Sequence, residues 1–259
     1  MNRCFVVVVI ALSWLSMLNA ADRVVRIWPN EPPPWDAPVE PEFDQTQPGD
    51  REQAGGRVTR LTNVSTPELH VYPATDSAGN PSQTAVIICP GGGFNILAWD
   101  LEGTEIATQF RNGGVTAMVL KYRVPTRKRD DPWTPVIQDI QRSMALVRSG
   151  EITQSEIKTV GLLGFSAGGN AVARTATSTG PTYSPIDQVD QSHLPPDFAC
   201  LVYPAWLSDE DDPFRLREGI DVTEKTCPMF FAHAEDDPHF VMNSVTMFTH
   251  LHQAGVPSA

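Results

Sequence analysis

Val160-Gly161-Leu162-Leu163-Gly164-Phe165-Ser166-Ala167-Gly168-Gly169 packs a buried strand, a sharp turn and the start of a helix into one short stretch. Its first half is a continuous apolar run, which suits a strand covered on both faces. Its second half fits G-x-S-x-G, and Ala167 to Ala176 follows as a helix of small residues. The pattern alone is weak, because it arises by chance in about one such chain in ten. Set between an apolar strand and a helix it gains meaning: Ser166 then occupies a strained turn at the strand's end, and Gly164 and Gly168 let strand and helix approach closely. The helix N-terminus behind it favours developing negative charge. The ordinary alternative is a glycine-lined turn with a helix-capping serine.

Upstream, Ala85-Val86-Ile87-Ile88-Cys89 is another buried-strand run, ended by Pro90 and three glycines. Asp100 to Arg111 has helical spacing, Val115 to Leu120 is a β-branched run, and Pro135 to Arg148 sets Ile137, Ile140, Met144 and Val147 on one helical face. Downstream come strands over Phe198 to Tyr203 and Met229 to His233 and a helix over Met242 to Ala254. Strands alternating with helices predict an α/β domain with a mostly parallel sheet and helices on both faces. A carbonyl attacked by Ser166 becomes an oxyanion, so unpaired backbone donors are needed nearby. Pro90-Gly91-Gly92-Gly93-Phe94 follows an earlier strand and can turn the Gly92 and Gly93 N–H groups toward a substrate, with the Ala167 N–H completing the hole. A plain glycine turn is the competing reading.

The flanks carry other information. Arg3, the apolar run Phe5 to Leu18 and the small residues Asn19-Ala20-Ala21 form a secretory signal peptide over residues 1–20. The run is shorter than the roughly 20 apolar residues that span a bilayer. An exported, periplasmic or secreted protein is therefore expected, without stable membrane insertion once the signal is cleaved. Residues 21–56 read as a Pro-rich acidic arm, mobile or draped on the body, and residues 57–259 as the folded domain, with regular structure beginning near Arg57. Two edge strands fit the stretch from Arg57 to Tyr72. Thr177 to Asp197 is polar and Pro-bearing, a surface insertion. Cys89, Cys200 and Cys227 remain after cleavage; at most one bridge can form, and buried thiols fit them better. The 259 residues carry 19 Lys and Arg against 31 Asp and Glu, a net charge of −12, which excludes nucleic acid as a partner.

Cys89-Pro90-Gly91-Gly92-Gly93-Phe94, Glu102-Gly103, Leu120-Lys121-Tyr122-Arg123, Asp139 with Gln141-Arg142, Gly164-Phe165-Ser166-Ala167-Gly168-Gly169 and Tyr203-Pro204-Ala205 occur in a fixed order. This set resembles the exported bacterial esterase/lipase group of the α/β-hydrolase fold, nearest its acetylxylan-esterase-like carbohydrate esterases, often labelled xylanases. The resemblance runs from about Trp28 to the C-terminus; members usually carry His where this chain has Pro90. It implies a serine ester hydrolase acting on a short-acyl ester of a polysaccharide or small molecule, with no metal and no organic cofactor.

By the same resemblance the catalytic acid is Asp237, with Asp236 as the alternative, in the loop Ala234-Glu235-Asp236-Asp237-Pro238. The family's histidine belongs on a loop beyond one further strand, and none of His70, His193, His233, His239, His250 and His252 occupies that place. The chain reads as a C-terminally truncated copy lacking the last strand, with its base after Ala259. Three rivals stand beside this reading. A metal site at His233, Glu235, Asp236, Asp237 and His239 lacks zinc-like spacing. A glycoside hydrolase needs opposed carboxylates rather than a serine turn. A ligand-binding relative that has lost its base would keep the fold and the pocket.

Overall fold

The computed structural model describes residues 20–50, 52, 56–153, 156–191 and 195–259. The signal peptide, Ala20 apart, and His193 lie outside the described residues. The strands are β1 (Arg23–Arg26), β2 (Phe43–Asp44), β3 (Arg60–Thr62), β4 (Glu68–Tyr72), β5 (Thr84–Cys89), β6 (Leu97–Ala98), β7 (Thr116–Lys121), β8 (Thr159–Phe165), β9 (Phe198–Val202) and β10 (Met229–Ala232). The α-helices are α1 (Glu105–Asn112), α2 (Thr134–Arg148), α3 (Ala167–Thr177) and α4 (Val241–Gln253), with a π-helical turn over Asp100–Thr104 leading into α1.

Seven strands form the main sheet in the order β1-β4-β7-β5-β8-β9-β10, parallel from β7 to β10 and antiparallel at β4 and β1. A small second sheet joins β2, β3 and β6. Side chains of β5 alternate between faces as the strand period requires. Ala85, Ile87 and Cys89 pack with Val136 and Ile140 of α2 and Ala171 and Val172 of α3, whereas Val86 and Ile88 pack with Ala107 of α1. From Ala85 to Cys89 no residue is more than 1% exposed, so each large apolar side chain contributes about 1.5–3 kcal/mol of burial. Strand order reverses at β5, whose successor within this sheet, β7, lies on one side and whose other neighbour is β8. Ligands of open α/β sheets bind at the carboxyl ends of strands beside such a reversal. Here those ends carry Pro90-Gly91-Gly92-Gly93 and Ser166, and the register pairing Cys89 with Gly164 sets them side by side.

Two expectations need correction. Regular structure begins at Arg23, well before Arg57, because β1 pairs antiparallel with β4 from Arg23↔Val71 to Arg26↔Glu68. For the same reason β4 is an interior strand rather than an edge. The sequence of β1 gives little sign of this: its flanks are charged and Val24 is 50% exposed, so backbone pairing rather than an apolar pattern makes it a strand.

Beyond β1 the arm is draped on the body. Ile27 and Trp28 are buried, Trp28 Nε1 donates to Asp139 Oδ1 at 2.8 Å, and Arg142 Nε donates to the Ile27 carbonyl at 2.9 Å. Asp139 also forms a fully buried ion pair with Arg123, whose Nη1 reaches the Pro33 carbonyl at 3.0 Å. Arg142 ties in the 177–197 insertion through Asp187 at 2.6 Å and Asp190 at 2.8 Å. The charged motif residues of the resemblance thus act here as clips on α2. Cys89, Cys200 and Cys227 are all free thiols. At the far edge Pro257 to Ala259 lie parallel to β10: Phe231 N donates to the Ala259 carbonyl at 2.8 Å and Ala259 N to the Met229 carbonyl at 3.2 Å.

Candidate active site

Ser166 sits between β8 and α3 at φ 48° and ψ −114°, a conformation that costs a residue with a Cβ of order 1–3 kcal/mol. Neighbouring chain holds it there. Ser166 N donates to the Val202 carbonyl at 3.0 Å, and the Ser166 carbonyl accepts from Asn170 N and Ala205 N, each at 3.1 Å. The turn closes only because two residues lack a Cβ. One built at Gly168 would lie 2.1 Å from the Cys89 carbonyl oxygen, and one at Gly164 2.5 Å from that of Gly168. The Ser166 side chain is half-buried, and among the described residues nothing hydrogen-bonds its hydroxyl.

The glycine loop lies directly against this turn. A Cβ on Gly91 would meet Ser166 Cβ at 2.9 Å and Glu102 Oε2 at 2.6 Å. Gly91 N donates to Glu102 Oε2 at 2.6 Å, and the Tyr122 hydroxyl donates to the Pro90 carbonyl at 2.5 Å. The Gly92, Gly93 and Ala167 N–H groups donate to no described residue. Unpaired amides beside a strained serine are the donors that acyl chemistry uses. Glu102 and Tyr203 entered the sequence reading only within the resemblance, yet they back this loop. Tyr203, at φ 37°, donates its hydroxyl to Glu102 Oε1 at 2.8 Å. Burial pushes the Glu102 carboxyl above the usual glutamate range and the Tyr203 phenol far above its own.

Asp237 lies in the loop after β10. Its Oδ1 accepts from His239 N at 2.9 Å and Phe240 N at 3.1 Å, and its Oδ2 lies 3.0 Å from His233 Nε2. These groups, the His239 N–H foremost, hold its carboxyl below the usual aspartate range. His233 Nδ1 lies 2.8 Å from Ser244 Oγ, so both ring nitrogens are engaged. Asp236 is exposed. His250 bonds the Thr246 carbonyl, His70 faces Glu68, and His252 stacks on Phe248. No described contact joins a histidine to Ser166, nor Asp237 to Ser166. Among the described residues no group of three or more His, Cys, Asp and Glu side chains is placed to hold a metal ion.

Aromatic rings connect the two parts. Phe94 of the glycine loop stacks on Trp206 with centroids 5.9 Å apart, and Trp206 meets Phe240 of the acid loop edge-on at 6.0 Å. Trp206, itself at φ 55°, is held by Asn170 Nδ2, which donates to its carbonyl at 2.9 Å. The Arg127 guanidinium lies over the Trp206 ring at 4.1 Å.

No protein-family model matches the chain. The chain is similar to an acetyl ester-xyloside bifunctional hydrolase from Caldicellulosiruptor lactoaceticus, at 26% identity and a TM-score of 0.64 over 92% of this chain and 84% of that one. It is similar in shape to an alpha/beta hydrolase enzyme from a Medee basin deep-sea metagenome, at 23% identity and a TM-score of 0.56 over 78% of each chain. The chain has the α/β-hydrolase fold. An acetylxylan esterase of Xylanibacter ruminicola is 31% identical over 132 residues, which is 51% of this chain. The match spans 24% of that relative's length. The resemblance to esterases of the α/β-hydrolase fold read from the motifs is borne out by these likenesses.

Proposed function

We propose that the protein is an exported carboxylic ester hydrolase that removes short acyl groups, acetyl first among them, from a polysaccharide or a smaller ester. The observation that carries this reading is the strained Ser166 beside the undonated N–H groups of Gly92, Gly93 and Ala167. The named activities of the xylan-esterase relative and the acetyl ester-xyloside hydrolase support acetylated xylan as the substrate class. Residues 1–20 supply the export signal.

In this mechanism Ser166 Oγ attacks the ester carbonyl. Gly92, Gly93 and Ala167 N–H groups hold the oxyanion, each donor stabilising the transition state by about 3–4 kcal/mol. Asp237, kept ionised by its backbone donors, orients a histidine that takes the serine proton. Collapse of the oxyanion breaks the ester C–O bond and expels the alcohol, which takes the proton the histidine drew from Ser166. Water activated by the same histidine then releases the acyl group as the acid and restores the serine.

The test is hydrolysis of p-nitrophenyl acetate by the natural full-length protein beside its Ser166→Ala variant. Turnover in the first and background in the second is the expected result. Equal rates would overturn the reading, and unchanged oligosaccharide binding by both would then favour a ligand-binding relative.

A further inference from the structure

Resting on the ester-hydrolase reading, we infer that Glu102 is a positioning residue of the oxyanion hole, its carboxyl clamping the Gly91 N–H and the Tyr203 hydroxyl across the floor of the site. Gly91 precedes the two donor glycines, and Tyr203 begins the segment whose Ala205 N–H holds the Ser166 carbonyl. One side chain therefore fixes both backbone paths that flank the nucleophile.

The geometry is specific. Glu102 is 9% exposed, and each of its oxygens has its own partner, Gly91 N at 2.6 Å and the Tyr203 hydroxyl at 2.8 Å. Among the described residues no cation is bonded to it, so within them it is not half of an ion pair. Its Oε2 and Ser166 Cβ approach the same point, the place a Gly91 side chain would fill. The adjoining Gly103 packs on Val119 and Pro90, where an added Cβ would lie 3.0 Å from Val119 Cγ1, so the turn carrying Glu102 is seated on the sheet. A carboxyl held this firmly transmits its position to the loop. Tyr203 has a left-handed backbone despite its Cβ, a strain that persists only where neighbours impose it. The Glu102 bond holds it from the hydroxyl end, while Tyr203 N donates to the Ala232 carbonyl at 2.7 Å and the ring lies against Phe165.

The test uses the natural full-length protein, with E102A, E102Q and Y203F, p-nitrophenyl acetate as substrate and the amide resonances of Gly91 to Gly93 as a second readout. A misplacement near 1 Å lowers turnover by about 100-fold. E102A should therefore lose about that factor in kcat with KM nearly unchanged. E102Q, which can still accept from Gly91 N and bond Tyr203, should recover most of it. Y203F keeps the Gly91 bond and should show a smaller loss of the same kind. The three glycine amides should shift in E102A and stay near their places in E102Q. A kcat in E102A within about threefold of the parent, or equal losses in E102A and E102Q, would overturn the inference. If the parent itself does not exceed its Ser166→Ala variant, the hydrolase reading has failed, and unmoved glycine amides in E102A would then separately overturn the clamp.

Discussion

Ser166 is held from the interior of the sheet, by Val202 at the end of β9 and by Asn170 and Ala205 on its carbonyl, whereas Asp237 is held by the amides of its own loop and by His233. On the proposed ester-hydrolase reading, the difference follows from what each must do. A serine in a left-handed turn is strained, and strain persists only where surrounding structure over-determines it. An acid needs an ionised oxygen and a fixed direction, which two backbone N–H groups and a ring nitrogen provide. The nucleophile half accordingly sits between buried strands, while β10 beside the acid loop exposes 54% of Phe230. Phe94, Trp206 and Phe240 bridge the halves through ring contacts, with Phe94 fully buried between them and the core.

The contrast can be broken at either end. Ser166→Ala should lower kcat by about a millionfold, the loss seen when a serine hydrolase is stripped of its nucleophile, with the unfolding midpoint unchanged. Asp237→Asn should cost about 10⁴-fold in kcat, read in the same ester assay, because the acid orients rather than attacks. A smaller loss would mean that the loop's own hydrogen bonds, not the carboxylate charge, do the orienting. A third pair of variants compares stability. Gly168→Ala drives a Cβ into the Cys89 carbonyl and should cost at least about 1–3 kcal/mol in urea unfolding, while Asp236→Ala on the exposed loop should stay within about 0.5 kcal/mol. Comparable losses would erase the distinction between the halves.

The smallest effect concerns pH. Burial raises the folded-state pKa of Glu102 above the ordinary value of 4.5. Below that value both states are protonated and the group adds no pH dependence. As pH rises above it the unfolded chain releases the proton first, so the folded state loses stability until the buried carboxyl itself ionises. E102Q does not titrate. The stability of the parent relative to E102Q should thus fall as pH rises above 4.5 and be flat below, which urea midpoints across pH would reveal.

Much of this was legible because the informative residues are neighbours in sequence. The run from Val160 to Gly169 contains strand, turn and helix in order, and the glycines after Cys89 announce a loop with free amides. The strands and helices read from periodicity occur within a few residues of their observed ends, from β5 to α4. What was not legible depends on distance. The bond from Tyr203 to Glu102 joins residues 101 apart, and the one from Trp28 to Asp139 joins residues 111 apart. Neither leaves a local pattern, and Trp28 lies in a Pro-rich stretch whose composition argues for an arm. Likewise β1 becomes a strand because β4 offers its open edge, a property of the partner rather than of Arg23-Val24-Val25-Arg26.

The deciding measurement is the intact mass and peptide map of the natural full-length protein after reaction with a fluorophosphonate ester. One adduct on the peptide containing Ser166, absent from Ser166→Ala, is the result required by a serine activated in this site. Hydrolysis of p-nitrophenyl acetate that persists in Ser166→Ala, with no adduct on that peptide in the parent, would contradict it.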